Sequence, residues 1–175
     1  MDRLFQDALG VLQCCVFFAA AATGGSLFEY LVHRMMHRSP FMAAAHRRHH
    51  ERNATGGVLH EFLEHCRGVP VALALGALVV AFVSIASGVA FFLGATAYGA
   101  WSAYAHELQH TNPKQCFWLR MPIHYVHHNH GMWHHNFGVG TDLWDRVFGT
   151  YRRVEWLGEQ ERAMPDRGAL DLRWI

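Results

Sequence analysis

Apolar positions fall into two long blocks, separated by stretches dense in histidine and arginine. Ala8 to Val32 is apolar apart from Gln13, Thr23, Ser26 and Glu29. A membrane helix needs about 20 such residues, so this run predicts one, continuing into His33 and His37. A cleaved signal peptide is the alternative, because Ala19 to Ala22 could host a cleavage site. Against it, Met1-Asp2-Arg3 is a weak positive region and the apolar run continues past the small residues. The second block, Val69 to Tyr104, is too long for one span and carries Ser84-Ile85-Ala86-Ser87-Gly88 near its middle. It reads as two helices of about 17 residues each, joined by a tight turn, rather than one long tilted helix. The pattern predicts an all-α integral membrane bundle. It has about three transmembrane helices plus short interfacial helices, in a single domain over 1–175.

The shorter elements carry the polar residues. Ser39-Pro40 has the form of a helix start, with a capping hydroxyl and proline at the first helical position. Asn53 to Gly57 reads as a loop, and His60 to His65 as a short amphipathic piece at the interface. Asn112-Pro113 ends the third long helix, Pro122 starts another short one, and the polar tail 155–175 carries no assigned role. If the first helix crosses once and the hairpin twice, nearly all the histidines converge on one side. That side also holds Arg34, Arg38, Arg47, Arg48, Arg52, Arg67, Lys114, Arg120, Arg146, Arg152 and Arg153. The positive-inside tendency makes it the cytoplasmic face of a bacterial inner membrane or of the endoplasmic reticulum.

Composition then narrows the chemistry. Net charge is +1 with histidine neutral, so no global field favours nucleic acid. The cysteines Cys14, Cys15, Cys66 and Cys116 form no CxxC pair, which leaves no support for a zinc ribbon or a disulfide framework. Histidine is the outlier, with 15 in 175 residues. His33 and His37 are four apart, as are His106 and His110. His46, His49 and His50 stand at i, i+3 and i+4, as do His124, His127 and His128. Each group therefore shares one helix face. Neutral imidazole suits zinc, copper, iron and nickel. A structural zinc closes with four ligands, so these ten are too many for one ion. Shared between two metals they give five each, and a six-coordinate ion keeps one position open for oxygen or water. Spacing does not choose the metal, although zinc has no redox chemistry and iron does. His130, His134 and His135 are candidates for a further ligand, whereas His60 and His65 read as surface residues.

Metal-bound imidazoles usually donate their other N–H to an acceptor, and Glu29 and Glu107 are the candidates. Asp142 and Asp145 suit capping and positioning the last helix and equally suit touching the site. Trp133, Trp144 and Tyr151 suit interfacial anchoring.

These motifs carry a resemblance. His33-x3-His37, His46-x2-His49-His50 and His124-x2-His127-His128 look like the three histidine boxes of the fatty acid hydroxylase / sterol desaturase superfamily. The His106/His110 pair resembles the one those proteins carry at the end of a membrane helix. Asn136-Phe137-Gly138 and Leu143 to Thr150 are similar to the closing signature, and the short chain also resembles the carotenoid hydroxylases. The resemblance covers about Glu29 to Tyr151. It implies a non-haem di-iron oxygenase that uses O2 and two electrons on an unactivated C–H bond of a lipid. It makes the ten patterned histidines the ligands of two iron ions, for which zinc can substitute in purified protein. No haem or iron–sulfur motif is present in the sequence, so electrons would come from a separate ferredoxin or cytochrome type donor with its reductase. Apolar walls such as Phe91, Phe92 and Trp101 would accept an acyl chain, a sterol or a carotenoid alike.

Two other classes stay open. His106-Glu107-Leu108-Gln109-His110 matches HExxH, the zinc-protease motif in which glutamate is the general base. A metal transporter or store would also use imidazoles, although transport wants them at membrane depth.

Overall fold

A computed structural model describes residues 3–175; Met1 and Asp2, which open the segment weighed as a signal peptide, lie outside the described residues. The described residues form eight α-helices and no strand: α1 (Arg3–Met36), α2 (Pro40–Arg52), α3 (Val58–His65), α4 (Val69–Phe82), α5 (Ile85–Thr111), α6 (Ile123–Asn129), α7 (Leu143–Val147) and α8 (Glu159–Ala163), with 3-10 turns at Cys66–Gly68 and Pro113–Gln115. The all-helical expectation holds. Arg3–Met36 and the bent run Val58–Phe82 are each long and apolar enough to cross a membrane. Leu4, Phe5, Val11, Leu12, Val16, Leu73, Leu75 and Leu78 are exposed along them, a display of apolar surface that suits lipid rather than water.

The break in the second apolar block falls at Val83. Ser84 caps α5 by accepting from the Ser87 amide at 3.1 Å. The two arms are unequal, 14 and 27 residues, instead of about equal. The short arm is made up by α3, which continues the path of α4 along α5. Phe62 and His65 flank Gly99, and Gly76 faces Gly88 and Phe91, so α3 and α4 run antiparallel to α5.

The broadest packing is between α1 and α5, and small residues allow it. Gly94 sits on the Phe18 backbone and Gly25 on the Tyr98 ring, while Glu29 takes hydrogen bonds from Tyr98 and Ser102. Numbers rise together along both helices, so they run parallel and deliver His33 and His106 to the same end. Helix α1 stops at Met36, leaving His37 just past its end. Pro40 is at the first turn of α2 as expected, but the Ser39 hydroxyl makes no capping bond; its carbonyl takes the Met42 and Ala43 amides instead. Helices α2 and α6 close over that end, with Asn53 donating to Asn129 at 2.9 Å. The apolar cluster Met121, Ile123, Tyr125, Val126 and Met132 supports α6 from beneath.

Candidate metal centre

Ten histidines converge where α1, α2, α5 and α6 meet. Five of them, His33, His37, His46, His50 and His127, bring their ring nitrogens within 4.8 Å of one another. Their Nε2 atoms stand 2.8 Å apart for His46 and His37, 3.0 Å for His50 and His46, 3.0 Å for His127 and His37, and 3.1 Å for His33 and His46. A second set, His49, His106, His110 and His124, meets the same 4.8 Å limit. His128 lies beside that set, with its ring 4.7 Å from those of His49 and His110 and 4.6 Å from that of His124. It also stacks on His50 at 3.9 Å, so the two sets adjoin.

Two of the inward nitrogens of the first set are lone pairs, and the backbone shows why. A neutral imidazole carries one N–H. His33 gives its Nδ1–H to the Phe137 carbonyl at 2.5 Å and His127 gives its own to the His135 carbonyl at 2.7 Å. Carbonyls only accept, so Nε2 of both rings is bare and points inward. In the second set the His106 Nδ1–H meets the Glu61 carboxylate at 2.6 Å. Both ring nitrogens of His124 and of His128, and Nε2 of His110, are buried with no hydrogen-bond partner.

Burial also keeps the rings uncharged. It is the largest cause in each case, ahead of the neighbouring imidazoles. It holds His37 and His49 at about 4, His50 and His127 at about 3, and His46 at about 2. It depresses His124 and His128 strongly as well.

Converging bare lone pairs repel one another unless a cation sits among them. Nitrogens about 2.1 Å from one ion and at right angles to each other lie about 3 Å apart, the spacing seen in the first set. The donors are all imidazole, which suits iron, zinc, copper or nickel. The residues present therefore fit a pair of metal ions.

Three carboxylates fix the surroundings. The residue that meets a histidine is Glu61, which sequence reasoning passed over because it lay in a short piece read as interfacial. Its other oxygen takes the Gly56 amide at 3.0 Å. Glu29 accepts from the Val139 amide at 2.8 Å and from Tyr98 and Ser102, so it pins a loop rather than a ring. Asp145, fully buried, takes the Phe137 and Gly138 amides at 2.8 and 2.7 Å and the Thr150 hydroxyl. Glu29 and Asp145 thus hold the stretch whose Phe137 carbonyl fixes His33. Asn136 leads into it with φ 60, a left-handed conformation asparagine tolerates, tied down by paired bonds to the Arg152 backbone. Glu107 is buried and accepts from Thr55 and from the Gly57 amide.

Several expected roles change. His130 and His134 are exposed and outside both sets, and His135 contributes its carbonyl, not its ring. His60 is at the surface, but His65 is half-buried, giving its Nδ1–H to the Glu61 carbonyl at 2.7 Å with Nε2 3.0 Å from the Ser102 hydroxyl. Trp133 packs on the rings of His37 and His50, 4.3 and 5.1 Å away, instead of anchoring at an interface. Trp144 reaches Ser26 on α1 at 2.8 Å, and Asp142 pairs with Arg146 instead of capping α7 through its side chain.

A protein-family model described as Fatty acid hydroxylase matches residues 18–150, more than half of the chain and inclusive of both histidine sets. No curated protein and no solved structure matches.

Proposed function

The chain belongs to the fatty acid hydroxylase family, and from that premise we propose that it is a membrane-bound non-haem di-iron oxygenase acting on a lipid. The observation that carries the reading is the division of ten imidazoles into two adjoining sets, with buried nitrogens on His110, His124 and His128 that have no hydrogen-bond partner. His33, His37, His46, His50 and His127 would hold one iron, and His49, His106, His110, His124 and His128 the other. Iron bound there would supply the activation of O2 and the two-electron oxidation of an unactivated C–H bond, giving an alcohol or an alkene.

The chain's own part is to prepare the site. The carbonyls of Phe137 and His135 and the carboxylate of Glu61 fix Nδ1 of His33, His127 and His106, which leaves Nε2 of those three rings free to bind an ion. Trp133 covers the first set on its solvent side. Tyr104, Trp101, Trp118 and Trp174 cluster at one level of the bundle, as aromatic side chains do at a lipid–water boundary. The arginines gather at the histidine end, which supports reading that end as cytoplasmic by the positive-inside tendency, with α5 read as a third crossing. Electrons would arrive from a separate carrier protein. In this reading one domain holds the whole site.

The protease reading loses ground on one point. Glu107 gives only Oε2 to Thr55 and Gly57 and keeps Oε1 without a partner, but the pair His106 and His110 sits inside a larger imidazole set that a protease has no use for.

The test is lipid mass spectrometry on cells with and without the gene, together with iron analysis of the purified protein. We expect two ions per chain and a lipid that gains one oxygen atom or loses two hydrogens. His50→Ala should abolish that product while Glu107→Gln retains some of it. One ion or none per folded chain, or full activity in His50→Ala, would overturn the reading.

A further inference from the structure

The segment after α8 lies across the surface with little apolar contact of its own: Leu170 is 71% exposed and Ile175 90%. Its attachments are polar and mostly through its backbone. Lys114 donates to the Met164 carbonyl at 2.7 Å, Asn112 to that of Arg167 at 3.0 Å, and Tyr104 to that of Ala169 at 3.0 Å. The Val58 and Leu59 amides then donate to the Arg173 and Trp174 carbonyls, both at 2.9 Å, and the Arg173 guanidinium reaches the Thr55 carbonyl. Trp174 stacks on Tyr104.

The last two backbone bonds fall on a helix that lacks a cap of its own. The first amides of any helix have no partner within it. The residue before α3 is Gly57, at φ 99, with no side chain to supply one. The tail carbonyls fill that role. One turn further along α3 is Glu61, the carboxylate that meets His106. The other attachments, at Tyr104 and Asn112, sit on α5 and just past its end, on either side of His106. The tail thus ties together the two elements that the Glu61–His106 bond also joins.

We propose that residues 167–175 are a positioning strap that holds Glu61 against His106 and so sets how tightly the second histidine set keeps its ion. This rests on the two-ion reading above. A carboxylate on the far nitrogen of a metal-bound imidazole fixes the ring and raises its basicity, and losing such a partner typically costs about 10- to 100-fold in metal affinity.

The experiment uses purified full-length protein loaded with iron and dialysed against graded chelator, with iron per chain as the readout. Two variants cut the strap. One ends the chain at Leu172. The other, Val58→Pro, removes one amide at a first-turn position where proline is tolerated, and keeps the full chain. Circular dichroism checks that helix content is unchanged. Both should retain one ion as tightly as the parent and hold the second about 10- to 100-fold more weakly. Glu61→Gln should do the same, and combining it with the truncation should add nothing. Two ions held at parental affinity in both strap variants overturn the strap. So does a loss that adds to that of Glu61→Gln, since the tail would then act elsewhere. A parent protein with fewer than two ions overturns the two-ion reading itself, and with it the role given to the strap.

Discussion

At the scale of single residues the site is built to be neutral, and this makes it sensitive to acid. An imidazole held below its usual value of 6.5 stays uncharged in the fold where the unfolded chain takes a proton. The unfolded state then binds more protons, so stability rises with pH. The contribution is complete above about 6.5, the unfolded value, and drains away as pH falls toward 4, where His37 and His49 begin to charge. Chelator-treated protein in detergent should therefore melt at steadily lower temperature across that window, as followed by circular dichroism. A flat profile from about pH 7 to about pH 4 would refute the neutral-cluster account. The ten imidazoles were legible in the sequence because helical spacing alone puts each group on one face. Their partners were not. The acceptors for His33 and His127 are backbone carbonyls, which every residue has and no motif marks. Glu61 could have been found only by asking which acid on a neighbouring short helix lay level with His106.

At the scale of elements, hydropathy located α1, α4 and α5 but divided the second block evenly, whereas α4 has 14 residues and α5 has 27. It measures what suits lipid, whereas a helix ends where its hydrogen bonding ends. The far ends of α1 at Met36 and α5 at Thr111 were marked instead by the His33/His37 spacing and by Asn112-Pro113. Contact between α1 and α5 depends on a missing side chain. A methyl group at Gly94 would stand 2.2 Å from the Phe18 carbonyl oxygen. That atom belongs to backbone and cannot swing aside, so α1 and α5 must part. Gly94→Ala should cost about 1–3 kcal/mol, the usual penalty of overpacking, and should also weaken ion binding, because α1 carries His33 and leads into His37 of the first set while α5 carries His106 and His110 of the second. An unchanged melting temperature in Gly94→Ala would show that the helices are not held at this point.

The molecule as a whole is a polar head on an apolar stem. Three parallel or antiparallel runs of the stem place both the α2–α3 loop and the tail at the head. With three crossings, a cysteine at Asn53 or at Gln160, both exposed, is shielded from a membrane-impermeant label in intact cells of a cysteine-free variant. It should react only after the membrane is opened. Labelling of either from outside would reverse the orientation. This much of the architecture was readable from two apolar blocks and one serine-rich break. The tail was not, because its contacts run through peptide groups and its composition resembles any solvated segment.

The distribution of ligands between the sets also orders events in time. Each set takes members from both α2 and α6: His127 completes the first, and His124 and His128 the second. During synthesis, five histidines emerge before residue 51 and wait while the hairpin is made and inserted. Neither centre can close until the ribosome has passed residue 127 and α6 has folded back over α1. The nascent chain thus has no finished binding site to offer a passing metal. On the two-ion reading, ion loading would be the last act of assembly, after the membrane has already received the stem.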